Sequence, residues 1–112
     1  MNSNGKPVLI YCTFPDDAIA REIARELVDG GQAACVNILG AMTSIYNWKG
    51  ERQEDAEVAA LVKTVETRAD EVIALVRSRH PYENPALLVL PVAGGSAEFI
   101  AWIVAESTAG KE

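Results

Sequence analysis

The order of apolar runs predicts an α+β chain, β-α-β-β-α-β followed by a terminal helix. Three observations predict it. Two segments, opening at Asp16 and at Thr67, carry apolar residues at helical spacing. Two strand-like arms flank a Lys49-Gly50 turn. A proline-bounded loop, His80-Pro81-Tyr82-Glu83-Asn84-Pro85, stops the second helix and leads into another strand-like run.

The elements follow in order. Val8 to Phe14 (VLIYCTF) is a β-rich run closed by Pro15. Pro15 and the acids Asp16 and Asp17 suit a helix's first turn, where the dipole favours negative charge. Ile19, Ala20, Ile23, Ala24, Leu27 and Val28 recur at helical spacing, with charged residues opposite, and Gly30-Gly31 ends the helix. Gln32 to Trp48 reads as one long strand, with a bulge or bend expected at Gly40. Asp55 to Val65 is its returning partner: Val58, Ala60 and Val62 fall on one face, and Glu57, Ala59, Leu61 and Lys63 on the other. Thr67, three residues before Asp70, has the form of a capping box and opens the second helix, whose stripe is Ala69, Val72, Ile73 and Val76. Ala86 to Val92 is a strand whose Pro91 places its end at or near a sheet edge. Ser96 is suited to cap a last helix, Phe99 to Ala105, which carries Trp102.

Two right-handed crossovers around a hairpin give the split βαβ, or ferredoxin-like, arrangement. Both helices then cover one face of a four-stranded antiparallel sheet, and the other face has no internal cover. The first strand is nevertheless apolar on both faces. The hairpin arms, roughly 15 residues each, exceed the usual strand of about 5–6. Apolar surface of that extent predicts a homo-oligomer.

At 112 residues the chain is expected to be one domain, 1–112, with residues 1–6 frayed. Sixteen acidic against ten basic residues give a net charge of −6, which argues against nucleic acid as a partner. Neither a secretory leader nor an apolar stretch of membrane-spanning length is visible, so no membrane partner is expected. Cys12 and Cys35 sit in strand-like runs without disulfide or zinc spacing, and a reducing, cytoplasmic setting is expected.

The loop at His80 holds the sole histidine beside a phenol and a carboxylate, three ionisable groups on a stiff segment. Its structural alternative is a histidine completing a helix C-terminus and a tyrosine ring packed beneath. A second cluster places Glu57 and Lys63 on one arm of the hairpin and Tyr46 and Trp48 on the other. These are either cross-strand pairs that hold the hairpin or, with His80, Tyr82 and Glu83, the lining of a cleft at a subunit interface.

Several motifs stand in register: Cys12-Thr13-x-Pro15, Ala34-Cys35-Val36-Asn37-Ile38, Thr43-Ser44-Ile45-Tyr46-x-Trp48-x-Gly50, Glu57 with Leu61 and Lys63-Thr64, and His80-Pro81-Tyr82-Glu83-x-Pro85. From about Pro7 to Ser107 the chain resembles the CutA divalent-cation tolerance proteins. The resemblance implies a ferredoxin-like subunit similar to nitrogen-signalling PII proteins and a homotrimer whose hairpins pair across subunits. It further implies a part in tolerance of copper and other divalent metal ions, with Cys12 and His80 as metal ligands. Arg79 departs from the pattern, standing where a copper-binding relative has a second histidine, and arginine stays protonated. Leu39-Gly40 replaces a more usual proline-bearing turn.

Thiolate with imidazole suits copper or zinc, although one such pair leaves a site incomplete. A buried, inert cysteine is the structural alternative for Cys12. The leading expectation is a non-enzymatic trimer serving divalent-ion tolerance, with copper or another divalent cation as its ion and no required cofactor. A PII-like sensor of a small ligand in an intersubunit cleft is the alternative. An enzyme using His80 as a general base ranks last, because no nucleophile-base series is visible.

Overall fold

The computed structural model describes residues 5–108, leaving aside the side chain of Thr108. Its elements are β1 (Pro7–Phe14), α1 (Asp17–Asp29), β2 (Cys35–Trp48), β3 (Glu51–Val65), a 3-10 turn (Glu66–Arg68), α2 (Ala69–Arg79), β4 (Leu87–Pro91) and α3 (Ala97–Thr108). The strands form one antiparallel sheet in the order β2-β3-β1-β4. β4 is an edge strand, which accommodates Pro91 at its end.

Alternation along β1 decides which face becomes the core. Val8, Ile10, Cys12 and Phe14 are buried and stand opposite Thr64, Val62, Ala60 and Val58 of β3. α1 presents Ala20, Ile23 and Leu27 to this face, and α2 presents Ala69, Val72 and Val76. Each fully buried Val, Leu or Ile contributes about 1.5–3 kcal/mol through burial.

Local chemistry sets the element ends. The Asp16 carboxylate accepts from the Ile19 amide at 2.9 Å, capping α1. At the other end Gly31 takes φ +76°, its amide donating to Val28 and that of Gln32 to Leu27. This hydrogen-bonded cap uses Gln32, so β2 begins at Cys35 rather than at Gln32. The register of β2 against β3 shifts between Leu39 and Ala41, so Gly40 sits at the expected irregularity. Lys49 and Gly50 turn the hairpin with φ +53° and +84°. Pairing starts directly after the turn, and β3 therefore opens at Glu51 rather than at Asp55.

Two expectations need correction. Thr67 does not cap α2: it lies inside the 3-10 turn, and Arg68, with no capping side-chain bond, precedes the helix. The chain leaves β3 too tightly for a capping-box geometry. Instead Arg68 Nε donates to the Ser107 carbonyl at 2.8 Å, tying the start of α2 to α3. The far sheet face, expected to lack internal cover, is not bare. α3 runs over it against β3 and β1, burying Ile103 and resting Phe99 by Lys63. Its cover is partial. Leu88 and Leu90, opposite Tyr11 and Leu9, stay exposed, Leu88 to 60%.

The expected fraying of residues 1–6 falls partly on residues 1–4, which lie outside the described residues. Lys6 is anchored, its carbonyl accepting from the Glu66 amide at 2.8 Å. Among the described residues no helix is long and apolar enough to cross a membrane.

Candidate functional site

The site starts where α2 ends. Pro81 pushes His80 out of helical geometry, to φ −78° and ψ 139°, while the His80 amide still closes the helix onto Val76 at 2.9 Å. The imidazole turns inward and is 9% exposed. Its Nδ1 accepts from the Tyr82 amide at 3.1 Å and so carries no proton. Nε2 therefore holds the proton and donates to the Thr13 carbonyl at 2.7 Å. The ring stacks on Phe14, centroids 5.1 Å apart, and lies 4.8 Å from Tyr82. His80 is thus the anchor that fixes the loop on the end of β1.

That anchoring aims Tyr82 at the hairpin. Its hydroxyl donates to Glu57 Oε2 at 3.1 Å. Glu57 is a carboxylate only 7% exposed, placed on β3 opposite Met42. Burial first, then the hydrogen bond and charge of Glu57, push the Tyr82 phenol up to about 12. Farther along the hairpin, Tyr46 donates to Asp55, a contact that also raises its phenol. Two phenol–carboxylate pairs therefore stand side by side.

Between them runs a cleft in two adjoining parts. One, about 340 Å³, is lined by Tyr46, Trp48, Asp55, Tyr82, Glu83 and Asn84 among others. The other, about 290 Å³, shares Tyr46, Trp48, Tyr82 and Asn84 and reaches Glu57 and Thr13. Five of the residues singled out from sequence, Tyr46, Trp48, Glu57, Tyr82 and Glu83, thus meet within a single chain. Lys63 does not join them. It shares the strand face of Glu57 but lies six residues along, about 20 Å at strand rise, with its ammonium 5.1 Å from the Phe99 ring centroid. Asp55 and Asn84 join the lining without a sequence signal that singles them out as a pair. Asp55 was findable, because it stands two residues before Glu57 and so shares its face.

Cys12 points the other way. It is fully buried in the helix-covered core, with Ala60 O at 4.0 Å from its sulfur, and burial pushes its thiol up to about 12. A metal needs a thiolate, and an imidazole needs a free nitrogen to bind one. Cys12 is protonated in apolar surroundings, and both nitrogens of His80 are engaged. Among the described residues no three of His, Cys, Asp and Glu stand close enough to hold an ion. The pair does not fit a ready-made copper centre within one subunit.

Fold and cleft together define a small antiparallel α+β protein with a ligand-sized recess between a long hairpin and a proline-braced loop. The chain belongs to the CutA1 divalent ion tolerance protein family, whose model matches residues 8–106. It is 39% identical over 96 residues to a divalent-cation tolerance protein CutA from Pectobacterium atrosepticum, covering 86% of this chain and 87% of that one. It is similar to solved CutA1 from a psychrotrophic Shewanella, with TM-score 0.89 and 37% identity over 92% of this chain and 96% of that one. A Cut A1 structure from Thermus thermophilus gives TM-score 0.84 and 40% identity over 87% of this chain and 94% of its own.

Proposed function

We propose that this chain works as a non-enzymatic homotrimer in the response to divalent metal ions, copper among them, with ferredoxin-like subunits similar to PII proteins. The observation that carries the assembly is the far sheet face, where Leu88, Leu90 and, on α3, Trp102 stand exposed. A second copy of the chain is the natural cover for such a surface. Shape supports the same reading. The radius of gyration is 14.7 Å, against about 13 Å for a compact chain of this length, and the extents are 47 × 27 × 23 Å. A projecting hairpin is available to neighbouring subunits. The state of the candidate groups supports a non-enzymatic role: His80 is doubly bonded, and the Cys12 and Tyr82 protons are held tightly. The reading sets the trimer in the cytoplasm, where free Cys12 and Cys35 stay reduced.

A strain lacking this chain should lose tolerance of raised copper and regain it with the parent sequence. Leu88→Glu, which charges the far face while leaving the core intact, should fail to restore it. Full restoration by a monomeric Leu88→Glu chain would sink the reading. Copper uptake at Cys12 and His80 requires local rearrangement, and calorimetry on Cys12→Ser and His80→Ala tests it. Uptake lost in both variants supports those ligands, and stoichiometric uptake unchanged by either refutes them.

The cleft favours a second reading, a sensor that takes a small ligand between hairpin and loop. Its support is Glu57, an acid buried beside ligand-sized space.

A further inference from the structure

Within one chain the cleft contains a buried acid that no cationic side chain pairs among the described residues. Glu57 is nine-tenths buried, and its hydrogen-bond partner is the neutral phenol of Tyr82. The ion pairs among the described residues are Arg21–Asp17, Arg52–Glu54, Arg68–Glu71 and Arg79–Glu26, and none reaches it. A buried carboxylate lacking a counter-charge is costly, and a site of this kind is eased by a cation that enters it. Asp55 and Glu83 add negative potential at the rim.

The walls narrow the kind of cation. A hard divalent ion favours several converging carboxylates, and among the described residues no three of His, Cys, Asp and Glu are placed to hold one. What converges instead is aromatic: Tyr46, Trp48 and Tyr82 line the space beside Glu57. Aromatic faces attract weakly hydrated cations such as substituted ammonium groups. The Trp48 ring already shows this chemistry, with the Lys49 ammonium 5.7 Å from its centroid.

Resting on the small-ligand reading of the cleft, we propose that it binds an organic ammonium ion. The nitrogen sits against Glu57 and its alkyl substituents lie on the rings of Tyr46, Trp48 and Tyr82. No bond is made or broken, and Tyr82 keeps its proton while holding Glu57 in place.

The test is an amide-resonance titration of the full chain with tetramethylammonium chloride, against sodium chloride at equal ionic strength. Saturable shifts at Glu57, Tyr82 and the Trp48 indole are expected. Glu57→Gln, an isostere that still accepts from Tyr82, should weaken binding about tenfold or more. Trp48→Leu should weaken it as well, while Arg21→Gln, on α1 and paired with Asp17 away from the cleft, should leave it unchanged. An absent response, or one indifferent to Glu57→Gln, overturns the proposal. Parallel titrations with magnesium chloride and citrate separate the two levels. Saturation by either at the same residues, with tetramethylammonium silent, keeps the cleft as a ligand site and removes the ammonium class. Silence to all three removes both.

Discussion

The Tyr82 hydroxyl donates to Glu57 Oε2 at 3.1 Å, joining the loop that follows α2 to the middle of the long hairpin. This bond spans 25 residues of sequence, and both of its partners line the cleft. It depends on His80, whose Nδ1 holds the Tyr82 amide.

Removing the phenol should therefore cost stability. Tyr82→Phe leaves a buried carboxylate without its donor, and a loss of about 1–3 kcal/mol is expected. Glu57→Gln keeps an acceptor for the phenol and should cost less. Chemical denaturation measures both. An equal loss in the two variants would show that the pairing is not what matters.

His80→Ala should be more damaging than its position at a helix end suggests. It deletes two hydrogen bonds and two ring contacts, and leaves the Thr13 carbonyl without its partner. Together these are worth about 2–4 kcal/mol. The near-ultraviolet signal of Tyr82 should also weaken as the loop loosens. A stable variant with an unchanged aromatic signal would contradict the anchoring role.

Alkaline pH should unfold the protein early. The Tyr82 phenol is raised from 10.0 to about 12, and the Cys12 thiol from 9.0 to about 12, so the folded chain keeps protons that the unfolded chain has released. Their contribution is whole below the unfolded values and is lost as pH rises toward the folded ones. Thermal melts from about pH 8 to about pH 11.5 should show a steeper fall for the parent than for a Tyr82→Phe, Cys12→Ser variant. Parallel slopes would contradict this assignment.

The two cysteines should differ in reactivity. Cys12 is buried and protonated at neutral pH, whereas Cys35 is partly exposed. Peptide mapping after iodoacetamide should find Cys12 alkylated only once the chain unfolds. Rapid native labelling of Cys12 would show that β1 opens locally.

Much of this fold was legible because local rules and tertiary packing agree. Alternation along β1, the helical stripe of α1 and the glycines after it all point one way, and the structure follows them. Thr67 shows the limit: its capping pattern is local, while the tight exit from β3 and the Arg68 bond to Ser107 are not. The same holds at the site. The residue types around the hairpin and loop could be read from sequence, but the partner of His80 lies 67 residues away and is a backbone carbonyl, which has no sequence signature. Lys63 has the right face and the wrong distance, since period-two alternation fixes the side of a strand and not the position along it.

Sedimentation equilibrium on the full chain tests the assembly most directly. A homotrimer predicts a particle of about 36 kDa, three copies of a 12.0 kDa chain, that persists on dilution and is lost in Leu88→Glu. A stable species of 12.0 kDa, with Leu88 and Leu90 left in water, would contradict it.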